Sequence, residues 1–310
     1  MLETTTRSEA LTYKLKSQIT HTTKLVITDV DGTLASFWDY FVPALRDFLR
    51  DTSMRLDIPL AELAEDIGRV IERRGTHEYP WLLEETAFAW SHYSNRQGEF
   101  IENFVKNFWE ALDENRAKYL RPYPMVLETL EQLKRQGIKV VALSDAPDYM
   151  ARIRNKQIFD GLLDAVYALE TVEPDANEVW QPITLEHGRM RLERLQRETE
   201  SLATKLIVLP KHYEKPAPNG LDMVLKDFGV FPCETIFIGD SLRKDGLVAA
   251  SRGIRFVWAH YGNTLPAEYE DLVHHTLKPA FSDSALKSEG EQIPYVEAIA
   301  ARYDELLNHV

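Results

Sequence analysis

The stretch Lys24–Thr28 (KLVIT), followed at once by Asp29-Val30-Asp31-Gly32-Thr33-Leu34, decides how the rest of the chain is read. A short apolar run with no polar alternation fits a strand buried on both faces, as in a parallel sheet. Three further runs have the same character: Ile138–Leu143 (IKVVAL), Thr235–Ile238 (TIFI) and Ile254–Trp258 (IRFVW). Helical patterns lie between them at Met125–Arg135, Leu221–Phe228 and Gly246–Ser251, each trailed by a glycine of the kind that closes a helix. The alternation predicts an α/β fold: a Rossmann-like parallel-sheet core in three α/β/α layers.

Two carboxylates, Asp29 and Asp31, follow the first run directly. An ordinary Asp-Gly turn would account for them in isolation. Other strand ends carry matching chemistry: Ser144-Asp145 after the second run, Gly239-Asp240-Ser241 after the third, and Asp245 close behind. Lys215 lies in the proline-stiffened loop Glu214-Lys215-Pro216-Ala217-Pro218. In a doubly wound sheet the carboxyl ends of the strands form the ligand edge. Asp29, Asp31 and Asp240 should therefore approach one another. Two like charges about 4 Å apart repel by about 4 kcal/mol at an effective dielectric near 20, so such a cluster needs raised pKa values or a cation. A hard, oxygen-seeking ion such as Mg2+ meets that need, and Lys215 adds a further positive charge.

In this order DVDGTL, LSD, EKPAPNG and GDSLRKDG resemble the four motifs of the haloacid dehalogenase superfamily, over roughly residues 24–35 and 121–262. The resemblance implies a phosphatase-type enzyme, a phosphoric monoester hydrolase acting on a small phosphorylated metabolite. It implies that Asp29 attacks phosphorus to form an aspartyl-phosphate, and that Asp31 protonates the leaving oxygen and then activates water. Ser144 and Lys215 would hold phosphoryl oxygens, with Thr33 donating its backbone N–H or hydroxyl. Asp29, the backbone carbonyl of Asp31, and Asp240 would bind Mg2+, with Asp245 orienting the metal shell or Lys215. An aspartate at position 31 separates phosphate-ester chemistry from halide displacement and phosphonate cleavage in this superfamily. The chain departs from the usual pattern in the excursion before Lys215, which leaves Lys211 and Lys205 as alternates. A phosphosugar mutase and a catalytically silent binding or scaffold protein are the other readings of the same fold.

Residues 36–120 read as a separate helical domain, matching in position the superfamily's helical cap; the catalytic core then comprises residues 1–35 and 121–310. The spacing of Leu60, Leu63, Ile67, Val70 and Ile71, and of Phe100, Ile101, Phe104, Val105, Phe108 and Trp109, is helical. The stretch from Arg73 to Tyr79 is the candidate for substrate contact, with Arg73, Arg74 and His77 as specificity residues; a polar interhelix turn is the plainer reading. Trp38 and Tyr40 would line the pocket mouth or pack between the two units. Trp81, Trp90, Phe104, Phe108 and Trp109 should form the interior of the helical unit.

A second insertion, about residues 171–204, reads as a solvated surface helix carried by a hairpin of Ala165–Leu169 and Leu206–Leu209. Residues from about 294 to 310 read as an amphipathic helix. Self-association through either segment is the expected route to a homo-oligomer.

The formal net charge of −13 argues against nucleic acid as the main ligand. No run approaches the roughly 20 apolar residues of a membrane span, and the first residues lack a signal-peptide core. These point to a cytoplasmic protein with neither membrane nor nucleic-acid partner. One cysteine, Cys233, excludes an internal disulfide and any multi-cysteine metal site. His274 and His275, adjacent in sequence, are poorly placed to share a metal.

Overall fold

The computed structural model describes residues 22–174, 182–263 and 296–310; His274 and His275 lie outside them. Seven strands form one parallel sheet: β1 (Leu25–Thr28), β2 (Lys139–Pro147), β3 (Ala165–Leu169), β4 (Lys205–Leu209), β5 (Thr235–Gly239), β6 (Arg255–Ala259) and β7 (Val296–Ala300). Their order is β4-β3-β2-β1-β5-β6-β7. The chain winds outward from β1 to β4 on one side, then returns to build β5 to β7 on the other. β1 is thus where the winding reverses, and the crevice at its carboxyl end is where such sheets bind ligands.

The central strands are apolar on both faces because both are covered. Val26, Val140 and Ile236 face one layer, containing α6 (Val126–Arg135), while Leu25, Ile27, Val141, Phe237 and Phe256 face the other, containing α9 (Asn219–Phe228) and α10 (Leu247–Ala250). In register, Ile27 lies opposite Val141 on one side and Phe237 on the other, which brings the ends of β1, β2 and β5 level.

Between β1 and β2 come α1 (Trp38–Leu56), α2 (Leu60–Arg74), α3 (Ala87–Tyr93), α4 (Gln97–Phe100) and α5 (Lys106–Tyr119), with a π-helical turn, Ile101–Val105, joining the last two. Their interior is aromatic: Phe41 and Phe100 are buried, as are Trp81, Phe104, Phe108 and Trp109, the four expected inside. Trp90 departs from that expectation and stays 41% exposed.

Two predicted elements take other forms. Ala165–Leu169 and Lys205–Leu209 are not a hairpin; they pair in parallel, Ala165 opposite Lys205. Parallel neighbours need a crossover, and α8 (Pro182–Glu198) lies within it. The pair Glu193–Arg197 marks an exposed face of α8, as expected, but the helix is not merely a solvated surface element. Leu195 packs with Tyr149, Met150 and Ile153 of α7 (Asp148–Arg154), and Trp81 donates to the carbonyl of Thr184 at 3.2 Å.

The chain end is likewise not the helix expected over 294–310. Val296–Ala300 adds to the edge of β6 as β7, and only Tyr303–Asn308 turns, as a 3-10 helix. The apolar spacing served both outcomes at its end: Tyr303 and Leu306 are buried in the layer containing α6. An open edge on β6 supplies ladder hydrogen bonds that a lone helix could not use. No helix among the described residues is long and apolar enough to cross a membrane.

Candidate active site

Asp29 follows β1, and its backbone N–H donates to Ile238 of β5 at 2.9 Å, so the nucleophile candidate starts from a fixed backbone. Gly32 completes the turn at φ 77°. A Cβ there would lie 2.4 Å from Asp240 Oδ2, so a side chain at this position would displace the acid arriving from β5. Asp240 is held in turn through its carbonyl, which accepts from Trp258 Nε1 at 2.8 Å.

Lys215 is the centre of the charge arrangement. It is 4% exposed, and its ammonium donates to Asp29 Oδ1 at 2.8 Å and to Asp245 Oδ1 at 2.6 Å. Burial pulls its pKa down, but Asp245 and Asp29 outweigh this and hold it well above the usual lysine range. Its backbone N–H donates to Asp145 Oδ1 at 3.0 Å, which anchors the loop to the end of β2. The alternates are not at this position: Lys211 pairs with Glu214 at 2.7 Å, and Lys205 lies in β4.

Asp29, Asp240 and Asp245 each offer a carboxylate oxygen, all within 4.8 Å of one another. Burial first, then Asp29 and Asp245, push the Asp240 pKa well above the carboxylate range. Asp245 is pushed up to about 7 by burial, which Lys215 opposes and Asp29 reinforces. Such a set of hard oxygen donors, with one lysine for three acids, fits a small divalent cation.

Asp31 also faces the cavity. Burial raises its pKa to about 7 against the opposing effect of Arg154, with Glu78 and Asp29 raising it further. Ser144 lines the same cavity and is 2% exposed, its hydroxyl accepting from the N–H of Ala146 at 3.1 Å. Asp145 bridges the two lysines, accepting from Lys244 Nζ at 3.0 Å. Burial favours its neutral form, but Lys215 and Lys244 prevail and its pKa falls below the usual range.

The opposite wall comes from the helical segment: Phe37, Trp38, Thr76, His77 and Glu78. His77 is therefore at the site, packed against the rings of Phe37, Trp38 and Phe41. Burial and then Lys244 lower its pKa to about 3, so it is a neutral imidazole at physiological pH.

Two predicted residues, and the hydroxyl of a third, fall elsewhere. Arg73 and Arg74 point away from the cavity and share Glu85, at 2.8 Å and 2.6 Å. A buried carboxylate within reach is a stronger attractor for a guanidinium than an open pocket. Thr33 is fully buried with its hydroxyl inside the fold, so the side chain is not on the cavity wall; its carbonyl accepts from Tyr261 at 2.6 Å.

Arg154 stands beside Asp31, and no sequence motif announces it. It is 1% exposed and lies 2.9 Å from Asp31 Oδ1. The available signal was positional: Arg154 follows Met150 by four residues, placing a charge on the apolar face of α7.

Among curated proteins, the phosphoglycolate phosphatase of Pseudomonas savastanoi pv. phaseolicola is 25% identical over 241 residues, 77% of this chain and 70% of its own. Phosphoglycolate phosphatase 1 of Pseudomonas aeruginosa is 26% identical over 245 residues, with the same coverage. Among solved structures, the HAD phosphatase from Thermococcus onnurineus superposes with a TM-score of 0.50 at 19% identity, covering 92% of this chain and 97% of that one, a likeness of fold. The family described as haloacid dehalogenase-like hydrolase matches residues 23–253, the span from β1 to the end of the helix before β6. With that match running through all four strand-end motifs, the chain belongs to the haloacid dehalogenase-like hydrolases.

Proposed function

We propose that this hydrolase is a Mg2+-dependent phosphatase of small phosphorylated metabolites, working through an aspartyl-phosphate on Asp29. The observation that carries this reading is the convergence of Asp29, Asp240 and Asp245 around Lys215 at one end of the sheet. Its curated relatives are named as phosphatases, which favours the same chemistry here and makes 2-phosphoglycolate the first substrate to assay. The cavity, about 230 Å³, suits a phosphoryl group with a short leaving group rather than a polymer.

In this reading Asp29 Oδ attacks phosphorus while the bond to the ester oxygen breaks. The departing oxygen takes a proton from Asp31. Asp31 then removes a proton from water, whose oxygen attacks phosphorus, releasing inorganic phosphate and restoring Asp29. Lys215 fixes the direction of Asp29 and offsets charge on the phosphoryl oxygens, and Ser144 donates to one of them. Mg2+, held by Asp29, the carbonyl of Asp31 and Asp240, with Asp245 steering Lys215, would supply the remaining positive charge. Phe37, Trp38, Thr76, His77 and Glu78 form the cap side, which excludes water and contacts the leaving group.

A panel of phosphate esters, 2-phosphoglycolate among them, is assayed with Mg2+, with EDTA, and with Asp29→Asn. Phosphate release should drop to background under EDTA and in the variant. Wild-type turnover by Asp29→Asn would remove the nucleophile assignment.

A further inference from the structure

Asp31 is gripped from behind by a side chain that also grips the helical cap. Arg154 closes α7 and does not line the cavity, whereas Asp31 does. Its Nε lies 2.9 Å from Asp31 Oδ1, a charge contact and not an aligned hydrogen bond. Its Nη2 donates to Glu78 Oε2 and to the hydroxyl of Tyr40, both at 2.7 Å. Tyr40 donates onward to Glu78 Oε1 at 2.7 Å, closing a three-membered ring of contacts. From the same helix, Tyr149 donates to the carbonyl of Glu78 at 2.6 Å.

Arg154, Glu78 and Tyr40 are all buried. Ionic groups withdrawn from water in this way contribute little net stability compared with apolar side chains of the same volume. What the guanidinium supplies is a positive charge at one fixed place, because Glu78 and Tyr40 hold its Nη2 end. An arginine held there draws the Asp31 carboxylate to one side of its turn. Tyr40 and Glu78 belong to the cap, so that placement exists only while the cap is seated.

We propose that Arg154 is a positioning residue for Asp31, and that Glu78 and Tyr40 set it there, so that seating the cap aims Asp31 at the leaving oxygen. The inference rests on Asp31 being the proton donor of the reaction proposed above.

The test uses para-substituted phenyl phosphates from nitro to methoxy, esters of nearly one size whose leaving oxygens differ in how much they need a proton. Rates are measured with Mg2+ for the wild type, Arg154→Lys, Arg154→Gln, Glu78→Gln, Tyr40→Phe and Asp31→Asn, each checked for folding by circular dichroism. The Arg154 variants should lose on the order of 10-fold more rate on the methoxy ester than on the nitro ester, a partial loss of the roughly 100-fold or more that general acid catalysis supplies. Glu78→Gln and Tyr40→Phe should shift the same way by less, and they decide the matter if the Arg154 variants do not fold. Equal slowing of every ester across these variants would overturn the proposal, since a merely structural role has no preference among leaving groups. A wild-type leaving-group dependence in Asp31→Asn would instead remove the reading of Asp31 beneath it. A steep dependence in Asp31→Asn beside wild-type dependence in the other four variants would keep Asp31 and discard Arg154.

Discussion

Asp240 stands beside Asp29 and Asp245, with Lys215 shared among them, and its pKa is raised by burial first and then by those two acids. Replacing it by asparagine removes a charge while keeping the shape. In EDTA, Asp240→Asn should be more stable than the wild type by on the order of 1–2 kcal/mol, because repulsion within the cluster falls. With Mg2+ the order should reverse. A ligand at 100 times its dissociation constant stabilises the wild type by about 2.7 kcal/mol, and the variant should lose most of that gain. Thermal unfolding with and without Mg2+ reads both effects, and an equal Mg2+ shift in the two proteins would show that Asp240 does not hold the ion. Asp29 and Asp240 were legible in the sequence because each follows an apolar strand run, and Asp245 because it comes one turn after Asp240. Arg154 was not, because its cap partners lie 76 and 114 positions away along the chain. Nothing in a local pattern brings such groups together. Arg73 and Arg74 misled for the complementary reason: a cationic pair beside a loop looks available until its buried acceptor, Glu85, is located.

The crossover between β3 and β4 joins the sheet to the cap through α8. Its helix α8 meets the cap at Gly188, where a Cβ would come within 2.2 Å of Trp81 Nε1 and 2.3 Å of Cε2. Trp81 is fully buried and also donates to Thr184, so it has no room to withdraw. Gly188→Ala therefore sets two effects against each other. Helix propensity favours alanine by about 1 kcal/mol, while overpacking against a fixed indole costs roughly 1–3 kcal/mol. Overpacking should win, lowering stability by up to about 2 kcal/mol in urea unfolding; a stabilised variant would mean that α8 stands off from Trp81. The strands themselves were readable, including β3 and β4, but their pairing was not. Apolar runs of five residues look the same in a hairpin and in a parallel pair. What decides is the connection, and its mixed charges pointed to solvent because only one face of α8 could be read. β7 was lost in the same way: Val296–Ala300 is apolar at spacings that suit a helix, and only the vacant edge of β6 selects the strand.

Across the whole molecule, α8 ties the cap to the sheet through a second buried charge, and this gives stability a dependence on pH. Arg191 of α8 donates to the carbonyl of Pro80 and lies 4.0 Å from the ring centroid of Trp109, both in the cap. Glu84, 1% exposed, is the acid whose charge acts most strongly on Arg191. Burial raises its pKa from 4.5 to about 7, the attraction of Arg191 only partly opposing it. A folded-state pKa above the unfolded one means that the folded protein binds the proton more tightly. The stability Glu84 contributes is then complete below about pH 4.5 and is lost as pH rises through about 7. At roughly 1.4 kcal/mol per pH unit, the full loss is about 3 kcal/mol. Glu84→Gln keeps the shape and does not titrate, so the stability of the wild type minus that of the variant should fall by up to about 3 kcal/mol between pH 5 and 8. The acids around Lys215 also titrate, but they do so in both proteins and cancel in the difference if they are uncoupled from Glu84. Urea unfolding at pH 5, 6.5 and 8 measures it. A difference that stays constant across this range would mean that Glu84 keeps its charge as the partner of Arg191, making the junction of α8 and cap a true ion pair rather than a proton-dependent one.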